Sequence, residues 1–144
     1  MNTDRKNAEG YYDPTAYEAL TAVVQEEKRK TYRPLVYICS PFAGDVSGNI
    51  AQARKYCRFA VEQGAIPLAP HLLYPQFMDD NDKTERALGL FFGVVLLGKC
   101  DEVWAFCETP HGARVASFGM KAELSKARGR GIPIKFFNRD GERI

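Results

Sequence analysis

The sequence has almost no surplus of either charge: 20 Lys and Arg stand against 18 Asp and Glu, a formal +2. A balance so even gives no reason to expect a nucleic acid partner. The basic residues gather only in Glu26-Glu27-Lys28-Arg29-Lys30 and Lys126-Ala127-Arg128-Gly129-Arg130, at expected helix ends where cations suit the dipole. Cysteine is sparse. Cys39, Cys57, Cys100 and Cys107 show no close pairing, and three sit in or beside apolar segments, as reduced, buried thiols do. There are two histidines, His71 and His111, and Cys107 with His111 forms the one close Cys and His pair. With no further soft ligand beside that pair, no metal site is expected. No apolar run has the length of a membrane span, and the polar start Met1-Asn2-Thr3-Asp4-Arg5-Lys6 lacks a signal core, so a cytoplasmic protein with no membrane partner is expected.

Missing motifs narrow the chemistry. No Walker sequence and no Gly-x-Gly-x-x-Gly after the first strand argue against a nucleoside triphosphatase or an NAD dehydrogenase. Ser-His-Asp chemistry lacks its nucleophile elbow.

What is present is an alternation of short apolar runs and helical periods within 144 residues, 45% of them hydrophobic, enough for one compact domain. Residues 1–12 read as a polar tail, and 13–144 as a single α/β domain. Asp13-Pro14 offers a cap and a first-turn proline for an amphipathic helix to about Lys30, carrying Ala16, Leu20, Val23 and Val24 and expected to cover the outside of the main unit. The pattern then predicts a strand at 35–39, a helix at about 47–63 stopped by Gly64, and a strand at 65–69. An irregular stretch to Asp80 follows, then a helix over 82–98, a strand at 102–106, a helix at about 117–128 and a strand at 132–137. Such alternation predicts a flavodoxin-like or Rossmann-like three-layer fold, with a parallel sheet in the order 2-1-3-4 and right-handed crossovers. The helix over 82–98 is apolar almost all round, which demands burial on several sides, either within one chain or by a second copy. The reading taken is a homo-oligomer, a dimer or higher, through that helix.

In a parallel sheet the loops at the carboxyl ends of strands bind ligands. Two such loops carry polar residues here. Ser40-Pro41-Phe42 follows the first strand, with Asp45 and Asn49 in and just beyond the turn; hydroxyl, amide and carboxylate groups suit a sugar, and a ring can stack on a base. The plainer alternatives are that Ser47 caps the helix, Asp45 makes a local turn bond and Asn49 is surface. The second loop runs through Pro110, Gly112 and Gly119 into a helix bearing Glu123. A carboxylate near a helix N-terminus is held ionised by the dipole and can attack an electron-poor carbon such as an anomeric centre; an exposed first-turn glutamate is the alternative. His71 follows the second strand at the rim.

At these residues the chain resembles the nucleoside 2-deoxyribosyltransferase-like superfamily, in particular its small bacterial and phage branch (DUF4406-like). The resemblance covers about Leu35 to Phe137. It rests on Tyr37-Ile38-Cys39-Ser40-Pro41-Phe42, on Cys100-Asp101-Glu102-Val103-Trp104, and on the order Glu123-Leu124, Ala127, Gly131 after Gly119. It implies that Glu123 attacks the anomeric carbon of a deoxynucleoside or its 5'-monophosphate, displaces the base, and forms a glycosyl-enzyme resolved by another base or by water. No cofactor is implied. The sequence departs from the family's pattern at Gly93, eight residues before Asp101, where characterised members carry an aspartate that helps protonate the leaving base. Asp45, Asp79, Asp80 and His71 are the other proton sources the sequence offers. Two further readings follow, a nucleotide-binding or sensing module that has lost turnover, and an interaction protein assembled through its apolar helices.

Overall fold

The structure, a computed structural model, is described for residues 14–29, 32–42, 44–107 and 118–144. The expected tail and the cap Asp13 lie outside the described residues, as do Pro110, His111 and Gly112. The chain divides into two units, Met1–Tyr32 and Arg33–Ile144. The first holds α1 (Pro14–Arg29), which opens on the proline the sequence marked for a first helical turn.

The second unit holds everything else. Its order is β1 (Leu35–Cys39), α2 (Val46–Glu62), β2 (Ile66–Leu68), α3 (Pro70–Leu73), α4 (Lys83–Leu97), β3 (Glu102–Phe106), α5 (Phe118–Gly129) and β4 (Ile134–Phe137). The four strands form one parallel sheet in the order β2-β1-β3-β4, as expected, with Tyr37 beside Leu68 on one side and Val103 on the other. Because strand side chains alternate, β1 and β3 serve two cores. Val36, Ile38, Trp104 and Phe106, joined by Phe137 of β4, pack against Tyr56 and Ala60 of α2. Tyr37, Cys39, Val103 and Ala105 face Leu97 of α4 and Met120, Leu124 and Ala127 of α5.

Local chemistry sets the helix limits. Asp45, two residues before the expected Ser47, caps α2, its carboxylate accepting from the Gly48 amide at 3.2 Å. Past its end Gly64 sits at φ +83°, the left-handed conformation that ends helices. Asp82 caps α4 by accepting from the Thr84 and Glu85 amides at 2.9 and 3.2 Å. The stretch expected to be irregular begins instead with α3 and a 3-10 turn, Tyr74–Gln76. Pro70 and Pro75 each sit in a first turn, where a fixed φ helps and a missing N–H costs nothing.

α4 buries one stripe through Gly93 and Leu97, while Leu90 and Phe91 stay 60% and 61% exposed. One chain therefore does not enclose this helix. No helix among the described residues is long and apolar enough to cross a membrane.

Candidate functional site

In the order β2-β1-β3-β4 the chain leaves β1 toward one edge and returns past it to β3, opening a crevice between the carboxyl ends of β1 and β3. A cavity of about 490 Å³ occupies this place. Its floor takes Tyr37 and Ser40 from β1 and the residue after it, one side takes Pro70 and His71 from α3, and another takes Gly119 and Glu123 from α5. α4 supplies the remaining wall through Gly89 and Gly93, one turn apart.

Glu123 is the sixth residue of α5, past the first turn, so the helix terminus is not its main influence. Burial dominates. It pushes the Glu123 carboxyl up to about 7, although hydrogen bonds from the Tyr37 hydroxyl and the Cys39 thiol pull the other way. The expectation of a carboxylate held ionised by the dipole is thus corrected: the group is poised between protonation states near neutral pH. Tyr37 and Cys39 are themselves held protonated, first by burial and then by the charge of Glu123. Both remain donors.

Beside them lies a second polar pair. Ser40 Oγ is 3.0 Å from His71 Nε2, and the Phe42 ring meets the imidazole edge-on at 6.3 Å between centroids. Burial lowers the His71 pKa to about 4, so the ring is neutral at physiological pH. Ser40 is 6% exposed.

The structure therefore brings together Ser40, Phe42, His71, Gly119 and Glu123 around one cavity. Asp45 stays on its cap, exposed, and Asn49 Nδ2 donates to the Phe42 carbonyl at 3.0 Å, so Asn49 ties the β1 turn to α2. Pro41 sits within that turn, half-buried, and is not on the cavity wall. Asp101, at the mouth of β3, accepts from the Leu35 amide at 2.8 Å and stays outside the cavity. Tyr37 and Cys39 escaped the sequence reading as site residues because they sit in an apolar strand. Their period-two spacing, with polar atoms on one face, was the available signal. Glu85 and Arg86 on the first turns of α4 were missed as well. Among the described residues no three His, Cys, Asp or Glu side chains converge as metal ligands.

Fold and crevice together define a Rossmann-like α/β protein with a ligand cavity at its switch point. Residues 34–137 match the family described as a domain of unknown function, DUF7768, and the chain belongs to that family. The narrower DUF4406-like label finds no support in this match. Among solved structures the chain is similar to a 2-deoxyribosyltransferase from the psychrotolerant bacterium Bacillus psychrosaccharolyticus. The TM-score is 0.54 at 17% identity, over 76% of this chain and 75% of that one, a likeness of fold. No curated protein matches the sequence.

Proposed function

We propose that this protein cleaves the N-glycosidic bond of a deoxynucleoside or its 5'-monophosphate, passing the sugar to another base or to water. One observation carries the reading: Glu123 lines the cavity of about 490 Å³ at the switch point, with the Tyr37 hydroxyl beside it as a hydrogen-bond donor. The fold shared with a 2-deoxyribosyltransferase supports it. In the first step a Glu123 oxygen bonds to the anomeric carbon and the bond to the base nitrogen breaks, its electron pair leaving with the base. In the second, water or a new base bonds to the anomeric carbon, the bond to Glu123 breaks with its pair returning to the carboxylate, and the proton released balances the one the departed base takes up. Ser40 contacts the sugar or its phosphate, Phe42 walls the base, and Gly119 allows close approach.

The nucleophile must be ionised, so kcat/KM rises with pH through about 7, the pKa to which burial pushes Glu123. Base release measured by chromatography from the common deoxynucleosides and their monophosphates tests the reaction. Glu123→Gln should lower it by about 10⁴-fold or more. Release that survives this change would end the nucleophile assignment.

Gly93 supports a second reading, a binding or sensing module without turnover, because no acidic side chain stands at that point of the wall. Tight binding of a nucleotide with no base released would favour it. We also propose that the exposed apolar face of α4, with Leu88, Leu90, Phe91 and Val95, pairs with a second copy of the chain. A strict monomer by light scattering at high concentration would exclude this.

A further inference from the structure

The charges around the cavity are lopsided. Among the described residues, Asp79, Asp80, Glu85 and Glu123 line it against a single guanidinium, Arg86. Asp79 and Glu85 are tied together, since Glu85 Oε1 accepts from the Asp79 amide at 3.3 Å. Along α4, Glu85 stands eight residues before Gly93, a rise of about 12 Å at about 1.5 Å per residue. Gly93 in turn marks the level of the nucleophile, because a Cβ there would sit 3.3 Å from the Tyr37 hydroxyl that holds Glu123. The cavity thus runs from the half-buried Glu123 carboxyl at the sheet to an acidic, open rim. A cleft lined by one sign of charge concentrates ligands of the other.

The floor shows a second bias. A neutral purine or pyrimidine leaves a sugar as an anion unless something protonates it in the transition state. Among the described residues the protic groups around Glu123 are already engaged: Tyr37 with Glu123, Cys39 between Glu123 and the Met120 carbonyl, Ser40 and His71 with each other. None is an acid at neutral pH. Burial keeps the Tyr37 and Cys39 protons bound far above it, and His71 carries no extra proton until pH falls to about 4. The described residues of the floor can attack but have little to give a departing nitrogen.

We infer, on the basis of the glycosidase reading above, that the preferred substrates are nucleosides whose base bears a fixed positive charge, such as N-glycosylpyridinium or N7-alkylpurinium compounds. Attack by Glu123 then breaks the bond to the ring nitrogen, and the electron pair cancels the charge already there. The base leaves neutral and takes no proton. Water next bonds to the anomeric carbon, the bond to Glu123 breaks with its pair returning to the carboxylate, and the proton of the water passes to solvent. The rings of Phe42 and Tyr74 and the three rim carboxylates suit the cation before it reacts.

The test uses the full chain and a matched pair, 7-methyl-2'-deoxyguanosine and 2'-deoxyguanosine, with nicotinamide riboside as a pyridinium probe. Spontaneous loss is subtracted with Glu123→Gln, whose fold is checked by circular dichroism. An enzyme with a leaving-group acid narrows the gap between such a pair by about 10²–10⁴-fold. Here kcat/KM for the methylated member should stay at least about 100-fold higher. Asp79→Asn combined with Glu85→Gln should raise KM for the two cationic probes and leave KM for 2'-deoxyguanosine where it was. Neutral deoxynucleosides cleaved as fast as the methylated one, in a Glu123-dependent way, would overturn the inference and leave the glycosidase reading standing. No release from any probe beyond the Glu123→Gln background would overturn both.

Discussion

The two faces of the sheet are built from the same strands yet differ in what they hold. The face toward α2 is filled with rings: Tyr56 stacks on Phe106 at 4.1 Å, and Phe106 on Phe137 at 5.2 Å, with Phe59 packed edge-on against both Phe106 and Phe137. The face toward α4 and α5 carries thiols, alanines and a methionine, with Tyr37 the one ring among its fully buried members. Rings pack the first face against α2. On the second, Gly89 and Gly93 on α4 leave volume between the helix and Tyr37 of the sheet, and that volume is the cavity. Alternation along β1 thus decides which residues stabilise and which face chemistry: Val36 and Ile38 go one way, Tyr37 and Cys39 the other.

Substitutions should separate the two faces. The largest effect on stability belongs to the ring face. Phe106→Ala removes a side chain 1% exposed and three ring contacts, and should cost about 3–5 kcal/mol in urea unfolding. A cost under about 1 kcal/mol would mean this face is not the stabilising one.

The cavity face should show itself through pH instead. The unfolded chain ionises Glu123 from about 4.5, but the folded chain holds that proton to about 7. Stability from this group is therefore lost as pH rises across that window, by about 3 kcal/mol. His71 acts in the opposite sense. The unfolded chain protonates it below 6.5 and the folded chain refuses until about 4, so stability from it is lost as pH falls. The two contributions oppose each other in the wild type. Glu123→Gln removes one of them, and its stability should rise with pH from 4 to 6.5 and exceed that of the wild type at pH 8 by up to about 3 kcal/mol. Urea midpoints across pH 4–8 read both. A pH profile unchanged by Glu123→Gln would show that the carboxyl is not buried against the sheet.

Back on the α2 side, Asp45→Ala removes the cap of the helix over the ring face and should cost about 1 kcal/mol. It should leave the ionisation of Glu123 where it was, being on the other side of β1.

How far the sequence revealed this arrangement depended on the range of the interactions involved. Strand and helix positions came from local patterns: five-residue strand runs at Leu35 and Glu102, the stop at Gly64, the apolar period after Asp82. Strand order followed from alternation, since connections in α/β proteins obey few topologies. The short helix at Pro70 was missed because two prolines close together read as a loop until their first-turn positions are known. Ser40, His71 and Glu123 could be named as candidates from their places after strands. Their mutual geometry could not, because the 3.0 Å approach of Ser40 to His71 joins residues 31 apart in sequence. The protonation state of Glu123 was misjudged for the same reason. Its helix position is local, but its burial against Tyr37 and Cys39 is a property of the assembled sheet.

The smallest predicted change in stability tests the link between that sheet and the nucleophile. Replacing a helix-interior glycine by alanine gains about 1 kcal/mol in helix propensity. At Gly93 the added methyl would lie 3.3 Å from the Tyr37 hydroxyl, and Tyr37, 3% exposed, has no room to retreat. Helix α4 and the Tyr37 ring must then shift apart by a few tenths of an ångström, which strains the hydrogen bond that stabilises the ionised form of Glu123. Gly93→Ala should therefore change stability by less than about 1 kcal/mol, the two effects opposing each other. It should nonetheless move the ionisation of Glu123 above about 7, seen by carboxyl-carbon NMR and as a shift of the kcat/KM rise to higher pH. Tyr37→Phe should produce the same shift by removing the donor outright. If neither variant moves it, Tyr37 does not hold the nucleophile, and burial with the Cys39 thiol sets its charge.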